Sequence, residues 1–457
     1  MSYAEAVERL YARGHELTVR ADATRRKFDL EQMRVLTAAL GHPERQFRSV
    51  LIAGTNGKGS TAATLASILQ AAGHCVGLYT SPHLSRVNER IQIQGVPISD
   101  DDFARLYFRV DETGERLVRD GRLPQAPSFF ETMTAVAFLY FAEHAAGRSV
   151  ELAVLEVGMG GRLDATNIVE PLLSILTDIS LDHMEWLGPT IASIAREKAG
   201  ILRPNGVLIT LPQHPEANQT IGEVAVGLGV TGVSAVEYMP PQDAPFWGAA
   251  YSVAALGGTV ELAPKLAGTH QHRNVALAVA AAVELCNRYG YKLTPQAIGA
   301  GVRATRWPGR LELFPREASR PAVLLDVAHN PAGAWTLRSG LNHYNPADDD
   351  GSSRTLLFGC LRDKAIQEMA QILFPLFGQV VLTPVDSPRS AAPGELMDAA
   401  QIVGVPATAV ESSAEGLALA LERTAPDNLL VCTGSVYLVG AVRQALQHST
   451  GEADSCR

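Results

Sequence analysis

The 457-residue chain is too long for a single hydrophobic core and predicts two or three domains. Its 46% hydrophobic and 19% charged residues suit a globular protein and exclude a disordered or fibrous one. A formal charge of −9 argues against broad nucleic-acid binding, which needs clustered cations.

The first residues, MSYAEAVERLYARG, are charged and predict a helix rather than a signal peptide. A basic cluster follows at Arg20, Arg25, Arg26 and Lys27, which fits either a solvated helix end or a contact for an anionic substrate. From residue 49, strand-like runs alternate with Ala- and Leu-rich helical segments. The runs are SVLIAG (49–54), LAVLEVG (152–158), LLSILT (172–177), VLIT (207–210), AVLLDVA (322–328), TLLFGC (355–360), VVLT (380–383) and LLVCTGS (429–435). Most are continuously apolar, the pattern of parallel strands buried on both faces, and their order predicts doubly wound α/β domains. A linker is expected near 300–308, where a helix at 270–288 and a short helix give way to TRWPGRLELF. This divides the chain into residues 1–303, with a mainly parallel sheet, and a smaller Rossmann-like α/β domain at 304–457. Segments 239–245 and 347–353 read as loops, and the polar tail after Gln447 as frayed.

The cysteines at 75, 286, 360, 432 and 456 show no metal or redox spacing, so a reduced cytoplasmic protein is expected. The longest apolar runs, such as Val275–Val283, are too short to cross a bilayer.

The sharpest local signal is Gly54-Thr55-Asn56-Gly57-Lys58-Gly59-Ser60, between a buried strand and the helical run TAATLASILQAAG. Glycines let backbone N–H groups approach a phosphate, the helix N-terminus favours the anion, and Lys58 adds a point charge. Ser60 could present its hydroxyl to Mg²⁺. The strict Walker A spacing is not met, because Gly59 intervenes between lysine and serine. Strand, loop, lysine and helix still arrive in the order that an N-terminal P-loop ATPase domain requires.

Five further residues carry chemistry or local structure. Glu156 ends a strand run before a Gly-rich turn, and His183 follows the 172–177 run; each alone fits a structural role. Lys198 lies in the last turn of a helix at 191–199 closed by Gly200, where a lysine also complements the helix dipole. Asp326 and His329 lie on a strand-to-helix turn, where the aspartate either faces a ligand or caps the next helix.

The GTNGKGS loop resembles that of folylpolyglutamate synthases and dihydrofolate synthases, relatives of the Mur ligases. The resemblance continues through TSPHL (80–84), SFFE (128–131), LEVGMGGRLDATN (155–167), LDH (181–183), REKAGI (196–201), HQHRN (270–274), WPGR (307–310), LDVAHNP (325–331) and TGSVYL (433–438). It implies ATP and two Mg²⁺ ions, with a monovalent cation left open. Glu156 and His183 would hold one Mg²⁺, with Ser60 and Ser81 near another. Lys198 would be carbamylated, which needs a neutral amine and hence a buried one. Asn274 would contact the base, Arg310 phosphate and Asp326 ribose, while His329 lies near the transferred phosphoryl and Ser435 near the glutamate. Phe28-Asp29-Leu30, Phe129-Phe130-Glu131 and Leu163-Asp164-Ala165 match pterin-contacting positions, although Phe129 and Phe130 equally fit a core.

The implied reaction is ATP-dependent ligation of L-glutamate to dihydropteroate, to reduced folates, or to both, through an acyl phosphate that releases ADP and phosphate. Lys58, Lys198 and His329 are the catalytic candidates, and a soluble monomer acting on small molecules alone is expected. A Mur-type ligase adding an amino acid to a UDP-linked precursor is the nearest rival. Only about 48 residues precede the first strand, few for that family's UDP-sugar domain.

Overall fold

The computed structural model describes residues 2–13, 30–143, 150–241, 250–318, 320–343 and 353–449. Phe28, Asp29, the basic cluster 20–27 and residues 347–352 lie outside them, as do most of the expected 239–245 loop and the tail beyond 449. The N-terminal helix runs Tyr3–Ala12, with the Ser2 hydroxyl accepting from the Glu5 N–H as its cap.

β1 (Arg48–Ala53), β2 (Val76–Tyr79), β3 (Ile91–Ile93), β4 (Val96–Pro97), β5 (Leu152–Glu156), β6 (Leu173–Leu176), β7 (Val207–Thr210) and β8 (Thr231–Ser234) form one sheet in the order β4-β3-β2-β5-β1-β6-β7-β8. All pairs are parallel except β2–β3 and β3–β4. The continuous apolar runs serve two cores at once. Leu51, Ala53, Ala153 and Leu155 face one core with helix Phe129–Glu143. Val50, Ile52, Leu152 and Val154 face another with helices Lys58–Ala71 and Thr269–Tyr289.

A hairpin of β9 (Tyr251–Ala255) and β10 (Gly258–Leu262) follows, turning at Leu256 and Gly257, both with positive φ. Then β11 (Glu312–Phe314), β12 (Ala322–Leu325), β13 (Thr355–Phe358), β14 (Gln379–Leu382), β15 (Ala407–Ala409) and β16 (Leu429–Thr433) form a second sheet, β11-β12-β16-β13-β14-β15. It is parallel apart from β11–β12, and it too is covered on both faces. The strand runs read from sequence all appear, so the α/β reading is correct. No helix among the described residues is long and apolar enough to cross a membrane.

Candidate active site

The carboxyl ends of adjacent strands β5, β1 and β6 carry Glu156, the GTNGKGS loop and the 177–183 segment, the edge where parallel sheets bind ligands. Gly57 has φ 88°, the left-handed conformation that starts helix Lys58–Ala71, and any Cβ there would overlap the Asn274 amide. Asn274 is thereby brought from helix Thr269–Tyr289 against the loop, and its Nδ2 donates to Gln271 Oε1 at 2.9 Å. Trp307 closes over Gly59, where a Cβ would stand 2.9 Å from the indole. Thr55 exchanges hydrogen bonds with Ser180, its hydroxyl donating to Ser180 O and accepting from Ser180 N, both at 3.1 Å.

Lys58 Nζ donates to Thr55 O at 3.1 Å and stands 4.0 Å from Glu156 Oε1. Glu156 is buried, and its Oε2 accepts the Ser81 N–H at 3.1 Å. Burial raises the Glu156 pKa, while Lys58 and Arg310 oppose the rise. Ser60 is buried beside the loop lysine.

Lys198 is 4% exposed and donates from Nζ to Gly54 O at 2.7 Å, so it does more than decorate a helix end. Burial and the neighbouring Lys58 lower its pKa to about 7. The helix does end at Ala199, but Gly200 has φ −63° and is no left-handed cap. Its role is close approach, since a Cβ would overlap Arg162.

The second sheet presents the carboxyl ends of β12, β16 and β13 to the same place. Asp182 receives Lys364 Nζ at 3.0 Å and its neighbour's His183 N–H at 2.9 Å on Oδ1, and Asn330 Nδ2 at 3.3 Å on Oδ2. The rings of His183 and His329 stand 3.8 and 3.9 Å from Oδ2. Burial would raise the Asp182 pKa, but the Lys364 ammonium and the two imidazole rings beside it hold the carboxylate far below its ordinary range. His329 donates from Nδ1 to Val327 O at 2.9 Å, which leaves Nε2 as an acceptor. Burial and Lys364 lower its pKa to about 4; burial lowers that of His183 to about 3. Lys364, Asp182 and Asn330 were not singled out from sequence, although the last two lie inside the LDH and LDVAHNP motifs.

Other expected site residues prove to hold local structure. Asp326 accepts the Leu311 and Ala328 N–H groups at 3.0 and 2.9 Å, tying the linker to the end of β12 beside Arg310. It does not cap the following helix; Asn330 does, accepting the Gly333 N–H at 2.8 Å. Ser435 accepts the Tyr437 N–H at 3.1 Å as the last helix begins. Glu131 Oε2 accepts the Ser128 N–H and hydroxyl, and the Glu131 N–H donates to Ser128 Oγ, a capping box of S-x-x-E spacing. Asp164 is buried, accepting from Met159 N at 3.0 Å and from Thr166 N and Oγ1 at 3.0 and 2.6 Å. Burial raises its pKa to about 6. Phe129 is core, 5.5 Å from the Tyr11 ring, whereas Phe130 covers Gly158 in the turn after β5. Leu163 and Ala165 flank Asp164; Leu30 begins helix Leu30–Ala39, which packs on the 165–168 turn. Two cavities of about 650 and 620 Å³ open instead near Arg48, at the amino end of β1, and of the expected site residues they contain Leu30 alone.

Among the described residues no three His, Cys, Asp or Glu side chains form a metal cage. The available donors are Glu156, the hydroxyls of Ser60 and Ser81, and neutral His183. This sparse set fits Mg²⁺, which binds through one or two carboxylates together with substrate phosphates and water.

Comparison with known proteins agrees with this geometry. Residues 52–282 match the Mur ligase middle domain and residues 309–436 the Mur ligase glutamate ligase domain. The dihydrofolate synthase/folylpolyglutamate synthase of Bacillus subtilis is 35% identical, over 92% of this chain and 95% of its own. That of Escherichia coli is 32% identical over 91% of each. Mycobacterium tuberculosis folylpolyglutamate synthase, solved with ADP, superposes with a TM-score of 0.85 at 31% identity, covering 97% and 98% of the two chains. E. coli FolC, solved with DHPP and ADP, gives 0.82 at 30% identity, covering 98% and 99%. The chain belongs to the dihydrofolate synthase/folylpolyglutamate synthase family of Mur-type ligases.

Proposed function

We infer that the protein is an ATP-dependent ligase joining L-glutamate to folate-type acids, through an acyl phosphate, with ADP and phosphate as products. The observation that carries this reading is the meeting of the two strand-end edges, with the phosphate loop and Lys58 on one and His329 and Lys364 on the other. An amide does not form from a carboxylate and an amine in water, because hydroxide is a poor leaving group. Moving the γ-phosphoryl onto the carboxylate supplies a better one. Such transfer is governed by positioning and charge neutralisation, here by Lys58 and Arg310 with the loop amides. The free His329 Nε2 then accepts the proton of the attacking glutamate amine.

Ser60, Ser81, Glu156 and His183 are the residues that would hold Mg²⁺, whose contribution is to neutralise charge on the phosphates. Asn274 faces the base and Asp326 the ribose, on carboxylate lone pairs left beside its two backbone bonds. Lys198 carries a carbamate, formed when its neutral Nζ attacks CO₂ and releases one proton. Ser435 and Lys364 line the glutamate side. Phe130, Leu163, Asp164 and Ala165 line the pterin side, with Glu131 acting through the helix start it caps. One centre serves both dihydropteroate and reduced folates; the second reading is folylpolyglutamate synthase activity alone. The domain boundary falls at 303/304, and the enzyme works as a cytoplasmic monomer without nucleic acid.

The test is ADP release on mixing dihydropteroate, glutamate and ATP, omitting each in turn, then repeating with tetrahydrofolate as the acid. ATP consumption that ignores both acids would overturn the reading.

A further inference from the structure

The loop of residues 80–90 joins the two halves of the molecule. At its base the Thr80 N–H donates to Arg90 O at 2.9 Å, and the Ser81 N–H donates to Glu156 Oε2 at 3.1 Å. Glu89 accepts the N–H groups of Leu84, Ser85 and Arg86 at 2.8, 3.0 and 2.8 Å, which fixes the turn. Arg90 Nε donates to His83 Nδ1 at 2.8 Å, and His83 Nε2 meets the Tyr11 hydroxyl at 3.1 Å. This rigid turn carries Leu84 into the apolar cluster on one face of the second sheet. Every other residue of that cluster lies between 314 and 446.

Two glycines shape the seat. Gly440, in the first turns of helix Val436–Ser449, touches the loop backbone so closely that a Cβ would overlap Leu84 O. Gly309, at φ 72° in the linker, leaves room for Leu84 Cδ2, which would stand 3.3 Å from a Cβ there. Val439 Cγ1 lies at the same distance from that position. A contact with backbone on both sides sets the spacing of the two halves more sharply than long side chains could.

We propose that Leu84 is a positioning residue: seated against Gly440 and Gly309, it couples docking of the second sheet to the placement of Ser81 and Glu156 at the phosphate loop. The proposal rests on the reading that Ser81 and Glu156 serve phosphoryl transfer. When the second half docks, the seat draws Leu84 in and holds Ser81, three residues earlier, against the Glu156 carboxylate. When it separates, the loop loses its outer anchor and that hydrogen bond loosens.

The experiment compares Leu84→Ala, Gly440→Ala, Leu84→Met, Ser81→Ala and the Leu84→Ala/Ser81→Ala double variant. Each is assayed with ATP, glutamate and tetrahydrofolate, alongside ADP affinity and urea melts. Leu84→Ala empties the seat and Gly440→Ala pushes it away, so both should lower kcat by about 10- to 100-fold, the scale of a displacement near 1 Å. ADP affinity should fall by much less than kcat, because the phosphate loop itself is untouched and only Arg310 and Asp326 lie on the second half, and Leu84→Met should restore the rate by keeping the volume. Ser81→Ala removes the hydroxyl and leaves the N–H on Glu156, so the loss from Leu84→Ala should be smaller on the Ser81→Ala background than in the wild type, the part carried by the hydroxyl being already gone. Leu84→Ala and Gly440→Ala at full rate, with Ser81→Ala crippled, would overturn the coupling alone. Multiplying losses in the double variant would also overturn it. Ser81→Ala at full rate would overturn the Ser81 reading and the coupling with it.

Discussion

Asp182, on the segment after β6, and Lys364, on the segment after β13, form a buried ion pair at 3.0 Å that bridges the two sheets. Their side chains are 10% and 8% exposed, so removing either partner leaves an uncompensated charge at the junction. Breaking such a pair from one side costs about 3–5 kcal/mol, whereas removing both is often nearly neutral. Lys364→Met should therefore lower the urea-unfolding stability more than the Lys364→Met/Asp182→Asn double variant does. Additive losses would mean that the pair is not coupled.

Lys58 is the loop's only lysine and stands 4.0 Å from Glu156, ready to turn toward a phosphate. Lys58→Ala should lower kcat by at least about 10²-fold, the scale of removing one preorganised donor from a developing charge. In the wild type, ¹⁸O from the substrate carboxylate should appear in inorganic phosphate, with ADP as the other product. Appearance of AMP and pyrophosphate would show that a different activation chemistry operates.

The carbamate proposed on Lys198 should depend on pH. The Lys198 pKa is depressed to about 7 by burial and Lys58, so the neutral amine that attacks CO₂ predominates above that pH. Below it, the neutral fraction falls about tenfold per unit. Enzyme equilibrated with ¹³C-bicarbonate should show a carbamate carbon signal at pH 8 that fades toward pH 6 and is absent from Lys198→Ala. Lys198→Ala should keep the fold and lose most activity. A wild-type spectrum without that signal at pH 8 would end the carbamylation reading.

Much of this arrangement is legible in the sequence, for identifiable reasons. Strands such as β1 and β5 announce themselves because burial on both faces leaves no polar alternation, and Gly54–Ser60 because a left-handed Gly57 and a helix start are needed together. What escapes is set by tertiary contact. Lys364 is an ordinary lysine in LRDK until the second sheet brings it to Asp182. Gly200 and Gly440 look like turn or helix glycines, yet the space around each is filled by a distant segment. The β9–β10 hairpin lies outside the strand runs read from sequence, most of them continuously apolar, because in it Ser252, Thr259 and Glu261 alternate with buried residues. Glu131, matched from sequence to a pterin contact, also closes a capping box with Ser128, a local role that its S-x-x-E spacing is compatible with.

Asp164, proposed on the pterin side, should separate the two folate reactions. Dihydropteroate presents its aryl carboxylate for activation, whereas a glutamylated folate presents one further along a flexible arm, so the shorter acid must seat its pterin deeper. Asp164 lies in the turn after β5, and its carboxylate already accepts from Met159 N, Thr166 N and Thr166 Oγ1. A carboxylate has about four acceptor sites, and the Gly158 N–H faces the fourth, so a pterin N–H has to share that site with it. Asp164→Ala would release the whole turn and damage both reactions; Asp164→Asn keeps the size and an oxygen for Thr166 but sets its amide NH₂ against the Met159 N–H, a loss that falls on both reactions alike, so the informative quantity is the difference between the two substrates. Losing one buried hydrogen bond costs about 1–3 kcal/mol, or roughly 5- to 150-fold in kcat/KM. Asp164→Asn should show that loss with dihydropteroate and a clearly smaller one with tetrahydrofolate. Equal losses would assign Asp164 to turn geometry that both reactions share. Wild-type protein that extends tetrahydrofolate but never uses dihydropteroate would restrict the activity to polyglutamylation, whatever the variant does.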